Sequence, residues 1–426
     1  MLTETAAPEW LRRTVLLLVF LFPLLAVSVK NGGSVVYALL FILSLGSLSN
    51  TRQIWAQLDP WEQRFLLGLV LFFIWLLITL INTDDFSSAG RKLERFVRLL
   101  MLIPIYVMLR RFGLNLVNTF ILGAVAGCFL LLGQSLVFHL VMGHPVVNGV
   151  YHKIVLGDTA VLLAALVTAA LLLQPHEKWQ YLLGVLAAVA GLYVSVLSQT
   201  RGAWLLLPVL IVLWIWLYRS KITAKTLVTV LGLVLVAVTA LAIWTQASVS
   251  RGIEAGINDL KVYQKDPSVE TSLGARLNMW RDSLTLFKQN PILGAGLGDF
   301  KRDRLELMDQ GKAIPAYGYG HAHSIYFHAL ATSGLIGLLI LLLSIIGLPF
   351  WVFYRGWRQA QDGDARLAAF GGLTVVVAFA VFGLSEGWLA RNPFMNIYAV
   401  TLLVFMSSLY AGENCSEDGR GEAAQS

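Results

Sequence analysis

The sequence has little charge: only 13% of its 426 residues are Asp, Glu, Lys or Arg, whereas 57% are hydrophobic. A soluble domain carries about 25% charged residues, because its surface must be solvated. The mean hydropathy of +0.71 instead reflects apolar runs that approach the length of a membrane span. The composition therefore excludes a soluble protein and predicts a polytopic membrane protein.

Cysteine is nearly absent, and the two cysteines lie in different sequence environments. Cys128 lies in an apolar run and Cys415 in the polar C-terminal tail, so they cannot reach each other across a membrane, and they match no metal-ligand spacing. A disulfide and a cysteine-based zinc site are both excluded. The net charge of +7 fits loops facing anionic lipid, and no nucleic-acid motif accompanies it.

Motifs that mark several common enzyme classes are also missing. There is no Gly-x-Ser-x-Gly elbow and no HExxH sequence. The run 294–299 resembles a phosphate loop but lacks a preceding strand and the Lys-Ser/Thr ending, which favours a flexible turn. His321 and His328 have no Asp or Glu nearby in the sequence, so we expect neither a metal site nor a cofactor.

Apolar segments are what the sequence has in abundance. The first follows Arg12 and Arg13, but no small-x-small cleavage site comes after it, so we interpret it as a retained helix. About twelve candidate spans result, near 14–29, 35–49, 65–82, 97–109, 115–142, 154–174, 180–199, 203–218, 226–247, 324–354, 367–386 and 393–411. The predicted fold class is an all-α polytopic integral membrane protein.

The cations of the short loops indicate an orientation. With both termini cytoplasmic, the inner loops contain Arg52, Arg64, Arg110, Arg111, Lys178, Arg219, Lys221, Lys225, Arg355, Arg358 and Arg366, as the positive-inside rule predicts. The predicted organisation is helices 1–9 over 1–247, a large outer loop over 248–323, helices 10–12 over 324–411 and a cytoplasmic tail over 412–426. Within the loop, apolar spacing predicts a helix over 272–289, with one face formed by Leu273, Leu277, Trp280, Leu284 and Phe287.

One short outer loop breaks the charge rule. The stretch 84–98 packs four cations just before a predicted span: Arg91, Lys92, Arg95 and Arg98. Either this hairpin is oriented the other way or its charges have a function. A third interpretation is an interfacial amphipathic helix whose cationic side chains snorkel to the headgroups.

Three further residues converge on the predicted outer face. Arg201 lies at a tight turn between two spans, Arg276 on the loop helix and His323 at the start of the next helix. Guanidinium groups suit phosphate oxygens, and the positive end of a helix dipole keeps an imidazole neutral and able to accept a proton. The plainer interpretations are that Arg201 is a snorkelling anchor, that Arg276 lies on a solvated helix face, and that His323 caps the helix with Ser324.

Two acids, Asp158 and Glu386, lie close to predicted outer boundaries. Intramembrane acids can form proton relays, so a transporter is an alternative, although paired broken helices in matching halves are missing. His328, inside the next apolar helix, is interpreted as a hydrogen-bonded core residue.

His323-Ser324, followed after nine residues by Gly334, resembles the His-(Asn/Ser/Gln)-x9-Gly signature of bacterial O-antigen ligases and their polymerase relatives. The large loop before that helix is similar to the family's periplasmic loop. Arg201, in Thr-Arg-Gly, and Arg276, in Ala-Arg-Leu, are similar to the family's two arginines.

The resemblance implies a class C glycosyltransferase-like fold and a metal-independent, inverting transfer of O-antigen from undecaprenyl pyrophosphate to a sugar hydroxyl of lipid A-core. It implies that His323 is the general base. The expected pyrophosphate-binding residues are Arg201, Arg276, Arg281, Arg91, Arg95 and Arg98, the last three on charge alone, and the expected supporting residues are Ser324, His321 and Tyr319. The expected location is the bacterial inner membrane, with the site facing the periplasm.

Related activities are left open by the same motif. An O-antigen polymerase or a protein O-oligosaccharyltransferase of the same superfamily would use the same kind of donor and differ in the acceptor. A lipid-linked glycan transporter, from a different functional class, would move the donor without making a bond.

Overall fold

The computed structural model describes residues 8–47, 51–218, 246–314 and 319–411. Within these ranges the regular structure is helical and contains no strand. The α-helices, in chain order, are α1 Glu9–Ser28, α2 Gly32–Leu45, α3 Thr51–Gln57, α4 Pro60–Ile78, α5 Phe86–Arg111, α6 Val117–Leu136, α7 Lys153–Leu173, α8 Lys178–Leu197, α9 Arg201–Trp204, α10 Leu206–Tyr218, α11 Gln246–Lys265, α12 Ser272–Gln289, α13 Phe300–Asp309, α14 Ile325–Leu341, α15 Leu348–Gln359, α16 Gly363–Ser385 and α17 Asn392–Leu409.

Nine helical segments of the described chain are long and apolar enough to cross a membrane. They are Glu9–Ser28, Pro60–Asn82, Val117–Val141, Lys153–Leu173, Lys178–Leu197, Arg201–Tyr218, Ile325–Gln359, Gly363–Ser385 and Asn392–Leu409. The all-α polytopic fold class is thereby confirmed. The total of about twelve spans stays a prediction, because the predicted span 226–247 lies almost entirely outside the described residues.

The centre of the helix bundle is formed by α7, α16 and α17. More than four fifths of the apolar window of each is buried, compared with half or less for the other spans. Small residues such as Gly371 and Gly372 of α16 allow Phe405 and Phe353 to approach the helix backbone closely. Close packing of this kind holds membrane helices together, since lipid is as apolar as the side chains themselves.

Helix α14 is broken at Gly334. This residue has φ 67° and ψ −169°, a backbone conformation that is essentially restricted to glycine. The loop over 248–323, which we predict to be the outer loop, fills the break: Ala295 donates its N–H to the carbonyl of Ala331 at 2.8 Å, and Gly296 donates to that of Thr332 at 3.2 Å. Backbone hydrogen bonds therefore tie the outer loop to a membrane helix.

The run 294–299 is a packed loop rather than the flexible turn that its glycines suggested. The side-chain amide of Asn82 donates to the carbonyl of Gly294 at 3.0 Å. The buried carboxylate of Asp299 accepts the backbone N–H groups of Asp84 at 2.9 Å and Asp85 at 2.7 Å. These bonds join the outer loop to the connection that precedes α5.

Helix α12 spans Ser272–Gln289, which confirms the predicted loop helix. Its buried face, however, is not the predicted leucine face: Asn278 and Asp282 are buried, whereas Leu284 is 41% exposed. The Oδ2 atom of Asp282 lies 2.7 Å from Nε of Arg304, and both side chains are almost inaccessible. A buried ion must keep its partner, so the face that carries Asp282 turns inward.

Replacing Gly334 with alanine should destabilise the protein. The added Cβ would collide with the carbonyl of Ile292, and the backbone conformation itself costs a non-glycine residue about 1–3 kcal/mol. We expect a lower unfolding temperature in detergent and faster proteolysis of the outer loop. Gly133→Ala is the matched control, because a Cβ there meets only open space. An unchanged unfolding temperature for Gly334→Ala would contradict this account.

Candidate active site

Two histidines that precede α14 meet a carboxylate from the end of α16. His321 Nε2 lies 3.4 Å from Glu386 Oε1, and His323 Nδ1 lies 3.4 Å from Glu386 Oε2. Arg391 donates its Nε–H to Glu386 Oε1 at 3.0 Å. We call these four side chains the His–Glu centre. Glu386 itself is fully buried, whereas the histidines are partly exposed.

Buried aromatic residues fix the position of Glu386. Trp388, which is fully buried, donates its indole N–H to the carbonyl of Phe379 at 3.0 Å and packs against the Phe379 ring. On the neighbouring helix, the hydroxyl of Tyr326 donates to the carbonyl of Ala380 at 2.6 Å. The end of α16 is thus held against the start of α14, where the histidines lie.

The charge states in the centre follow from burial and contact. Burial by itself would raise the pKa of Glu386, but the contacts with His321 and His323 and the charge of Arg391 outweigh it and hold the pKa well below its usual range. Burial lowers the pKa of His321. At neutral pH the centre therefore contains an ionised carboxylate and a neutral His321.

His323 has an unusual backbone conformation, with φ 47°. Non-glycine residues rarely adopt this left-handed region, and they often do so at functional sites. Ser324 begins α14, but its side chain makes no capping hydrogen bond and its Oγ is buried without a partner in the described residues. The Tyr319 ring lies edge-on to His323 with the ring centroids 6.1 Å apart.

Helix α12 is docked onto the histidine segment through Trp280. The indole N–H of Trp280 donates to the carbonyl of Ala322 at 3.0 Å, and the ring stacks on Phe327 at 5.0 Å. Arg276 lies one helical turn before Trp280 and therefore on the same side of α12. Burial lowers the pKa of Arg276, while the charge of Glu386 opposes this shift.

Arg201, the first residue of α9, lies near Arg276, and its guanidinium approaches Gly256 of α11. Gln199 has φ 52°, which turns the chain sharply between α8 and α9. Gly202 packs so closely against the end of α16 that a Cβ there would lie 2.6 Å from Ser385 Oγ. Arg201 consequently lies beside the helix end that carries Glu386, and the charges of Arg201 and Arg276 interact.

The other predicted arginines lie elsewhere. Arg91 and Arg95 line a cavity of about 250 Å³ whose lining includes His321 but neither Arg201 nor Arg276. Arg98, further along α5, has a buried Nε without a hydrogen-bond partner in the described residues. Arg281 is exposed, and its place five residues after Arg276 puts it about 140° away around α12.

Sequence reasoning missed the partners of the histidines. In the sequence, Glu386 is only an acid near a predicted span boundary, and no motif marks Arg391. Asp158 of α7 is buried and lies near Arg276. His328 is not the expected hydrogen-bonded core residue, because its Nδ1 is buried without a partner in the described residues and the residue lines the cavity of Arg91.

Three residues of the centre could hold a metal ion. The ligand atoms of His321, His323 and Glu386 all lie within 4.8 Å of one another. The expectation of no metal site rested on the lack of a nearby acid in the sequence, and the fold supplies that acid from a distant helix. The Arg391 guanidinium, however, binds the same carboxylate, and Arg276 adds positive charge, so the electrostatics favour an anionic ligand over a cation.

Comparisons with known proteins agree with this geometry. The sequence model of the O-antigen ligase family matches residues 186–342, which include Arg201, Arg276 and His323. An uncharacterized protein of Haemophilus influenzae is 26% identical over 343 residues, covering 79% of this chain and 84% of that protein. The O-antigen ligase of Escherichia coli K12 is 26% identical over 253 residues, covering 58% of this chain and 57% of that protein. Residues 186–342 of this chain are therefore similar to the O-antigen ligase family.

Proposed function

We propose that this protein is an O-antigen ligase that transfers the glycan of an undecaprenyl pyrophosphate donor to a sugar hydroxyl of lipid A-core. The observation that carries the proposal is the arrangement of Arg201 and Arg276 around a centre in which a buried carboxylate contacts His323. We place the site on the periplasmic face of the inner membrane, with cytoplasmic termini, as the charges of the short loops favour.

The arginines would bind the diphosphate of the donor. Guanidinium groups make paired, charge-assisted hydrogen bonds to phosphate oxygens, and fixed cations stabilise the charge that develops on a leaving diphosphate. Arg276 is held by the docking of α12 through Trp280, and Arg201 by the close packing of its neighbour Gly202 on α16. The leaving group would thus be stabilised by side chains alone.

His323 would act as the general base. Its Nδ1 faces Glu386, which leaves Nε2 to accept the proton of the acceptor hydroxyl. The hydroxyl oxygen then forms a bond to the anomeric carbon, and the bond from that carbon to the diphosphate oxygen breaks with its electron pair. A single displacement of this kind inverts the anomeric carbon. Glu386 is a positioning residue, because it orients the imidazole and stabilises the imidazolium without touching the substrate.

A polymerase or a protein O-oligosaccharyltransferase of the same superfamily would use the same chemistry on another acceptor. Incubating the purified protein with a lipid-linked glycan and, separately, lipid A-core, a second lipid-linked glycan or an acceptor protein distinguishes the three. Only the lipid A-core product supports the ligase. A transporter would leave the mass of every glycan unchanged while moving it across a sealed vesicle.

His323→Asn should abolish transfer and leave the fold intact. Asparagine tolerates the left-handed backbone of this position but is no base. Because a positioned base contributes about 10²- to 10⁴-fold, we expect the initial rate of transfer to lipid A-core to fall by at least that lower figure. His176→Asn is the control, since among the described residues this histidine bonds only to the carbonyl of Ala170, at the end of α7 far from His152. Transfer at the wild-type rate by His323→Asn would reject the base assignment.

Glu386→Gln should lower kcat without changing the KM for either substrate. The amide keeps the shape of the side chain but loses the charge that stabilises the imidazolium, as in other carboxylate–histidine pairs. We expect a loss of about tenfold or more in kcat. Glu386→Asp keeps the charge and should retain more activity than the glutamine variant. Equal activity of Glu386→Gln and Glu386→Asp, at equal unfolding temperatures, would contradict the positioning role of Glu386.

Arg201→Gln and Arg276→Gln should weaken use of the donor more than use of the acceptor. A hydrogen bond to a charged group is worth about 1.5–3 kcal/mol, so each change should raise the KM for the donor roughly tenfold or more. The KM for lipid A-core should stay near the wild-type value. Arg358→Gln, an exposed arginine at the end of α15, is the control. Equal losses for both substrates would count against diphosphate binding.

A further inference from the structure

A second cationic site lies beside the His–Glu centre. The cavity of about 250 Å³ is lined on one side by Arg91, Lys92 and Arg95 of α5 and on the other by His321 and His328. We call it the α5 cavity. Its remaining wall includes apolar residues of α4 and α5, among them Phe72, Leu76 and Phe96. Apolar walls combined with clustered positive charge suit an anionic amphiphile.

The hydrogen-bond acceptors of the cations in the α5 cavity are all neutral in the described residues. Arg91 donates to the Ser87 hydroxyl at 2.6 Å. Lys92 and Arg95 donate to backbone carbonyls, at 2.7 and 3.1 Å. Throughout the described chain, no carboxylate oxygen lies within 4.0 Å of the charged nitrogens of these three side chains. The charge of Lys92 interacts with Asp299 and Asp85, whereas Arg91 is exposed and Arg95 is partly buried. An anionic ligand would give Arg91 and Arg95 charge-assisted hydrogen bonds that their neutral partners do not provide.

The cavity also contains an unused polar atom. Nδ1 of His328 is buried and has no hydrogen-bond partner among the described residues. The ring packs edge-on against Phe300, with the centroids 4.9 Å apart, and this fixes its orientation. An oxygen of a bound headgroup would give this nitrogen the partner that the protein does not provide.

The α5 cavity is distinct from the arginine pair assigned to the donor. Neither Arg201 nor Arg276 belongs to its lining, and its cations come from α5 rather than from α9 and α12. His321 belongs to both regions, and its ring centroid lies 4.3 Å from that of His323. A hydroxyl of a ligand in this cavity would therefore lie within a short distance of His323, the proposed general base.

The helices that form the cavity have apolar outer faces suited to lipid. Leu71 and Ile74 of α4 and Leu335 and Leu339 of α14 are exposed large apolar side chains on candidate membrane spans. A cavity of about 250 Å³ is smaller than the roughly 300–1,000 Å³ of a site that encloses a whole drug-sized ligand. It would hold a headgroup, while the acyl chains of the same molecule stay in the bilayer.

We propose that the α5 cavity binds the phosphorylated headgroup of the glycolipid acceptor, separately from the donor diphosphate. This inference rests on the proposed ligase function. It gives Arg91 and Arg95 a role on the acceptor side, and it places two anionic substrates on either side of one His–Glu centre. The separation would allow both substrates to be bound at once, as a direct displacement requires.

Binding measured without turnover tests the inference. The full chain in phosphatidylcholine nanodiscs is titrated with three probes: phosphorylated lipid A-core, the same glycolipid after enzymatic removal of its phosphates, and a lipid diphosphate glycan donor. For Arg91→Gln/Arg95→Gln we expect the Kd for phosphorylated lipid A-core to rise tenfold or more, because charge-assisted hydrogen bonds are lost. The Kd for the donor and for the dephosphorylated glycolipid should not change.

Matched variants separate charge from folding. Arg201→Gln/Arg276→Gln should show the reverse pattern, with weaker donor binding only. Arg91→Lys/Arg95→Lys keeps the charge and should lose less acceptor affinity than the glutamine pair. Arg358→Gln should bind both substrates like the wild type. Unchanged acceptor binding by a folded Arg91→Gln/Arg95→Gln protein would overturn the inference, as would a loss of donor binding.

Ordinary membrane lipid provides the decisive competitor. If phosphatidylglycerol displaces lipid A-core from the wild type at equal concentration, the cavity is a general anionic-lipid site and the inference is wrong. A wild-type protein that binds phosphorylated lipid A-core through Arg91 and Arg95 but transfers no glycan to it would support the cavity assignment and reject the ligase function. The two proposals can therefore fail independently.

Discussion

A buried carboxylate is the constraint on which the candidate site depends. An ionised side chain that leaves water needs charged or hydrogen-bonding partners, because burial otherwise favours its neutral form. Glu386 obtains these partners from His321 and His323 before α14 and from Arg391 after α16. Satisfying this one charge therefore brings two distant stretches of the chain together and aims the imidazole of His323.

The break at Gly334 fixes the outer loop relative to that centre. Irregular backbone is tolerated in a membrane helix where protein covers it and supplies the missing hydrogen bonds. Here the loop provides donors to the carbonyls of Ala331 and Thr332. The same loop carries α12, whose Trp280 bonds to Ala322 beside the histidines. The signature glycine thus has a structural role that differs from the chemical role proposed for His323.

Positive charge is distributed on two sides of the centre. Arg201 and Arg276 lie towards α9 and α12, whereas Arg91 and Arg95 lie in the α5 cavity. The charge of Glu386 offsets part of the first group, while Arg91 and Arg95 donate to neutral acceptors in the described chain. An enzyme of the proposed kind, which transfers a glycan from one anionic lipid to another, needs cations for each of them, placed so that the reacting atoms meet.

Local patterns in the sequence determined the all-helical membrane class, the helix Ser272–Gln289 and the candidate roles of Arg201, Arg276 and His323. Hydrophobic runs and helical spacing are visible within a short window, which is why these features could be predicted. Tertiary structure alone decided that Glu386 is the partner of the histidines and that Asn278 and Asp282 lie on the buried face of α12. The packing of the whole bundle decides which helix ends contact each other. A short window of sequence does not contain that information.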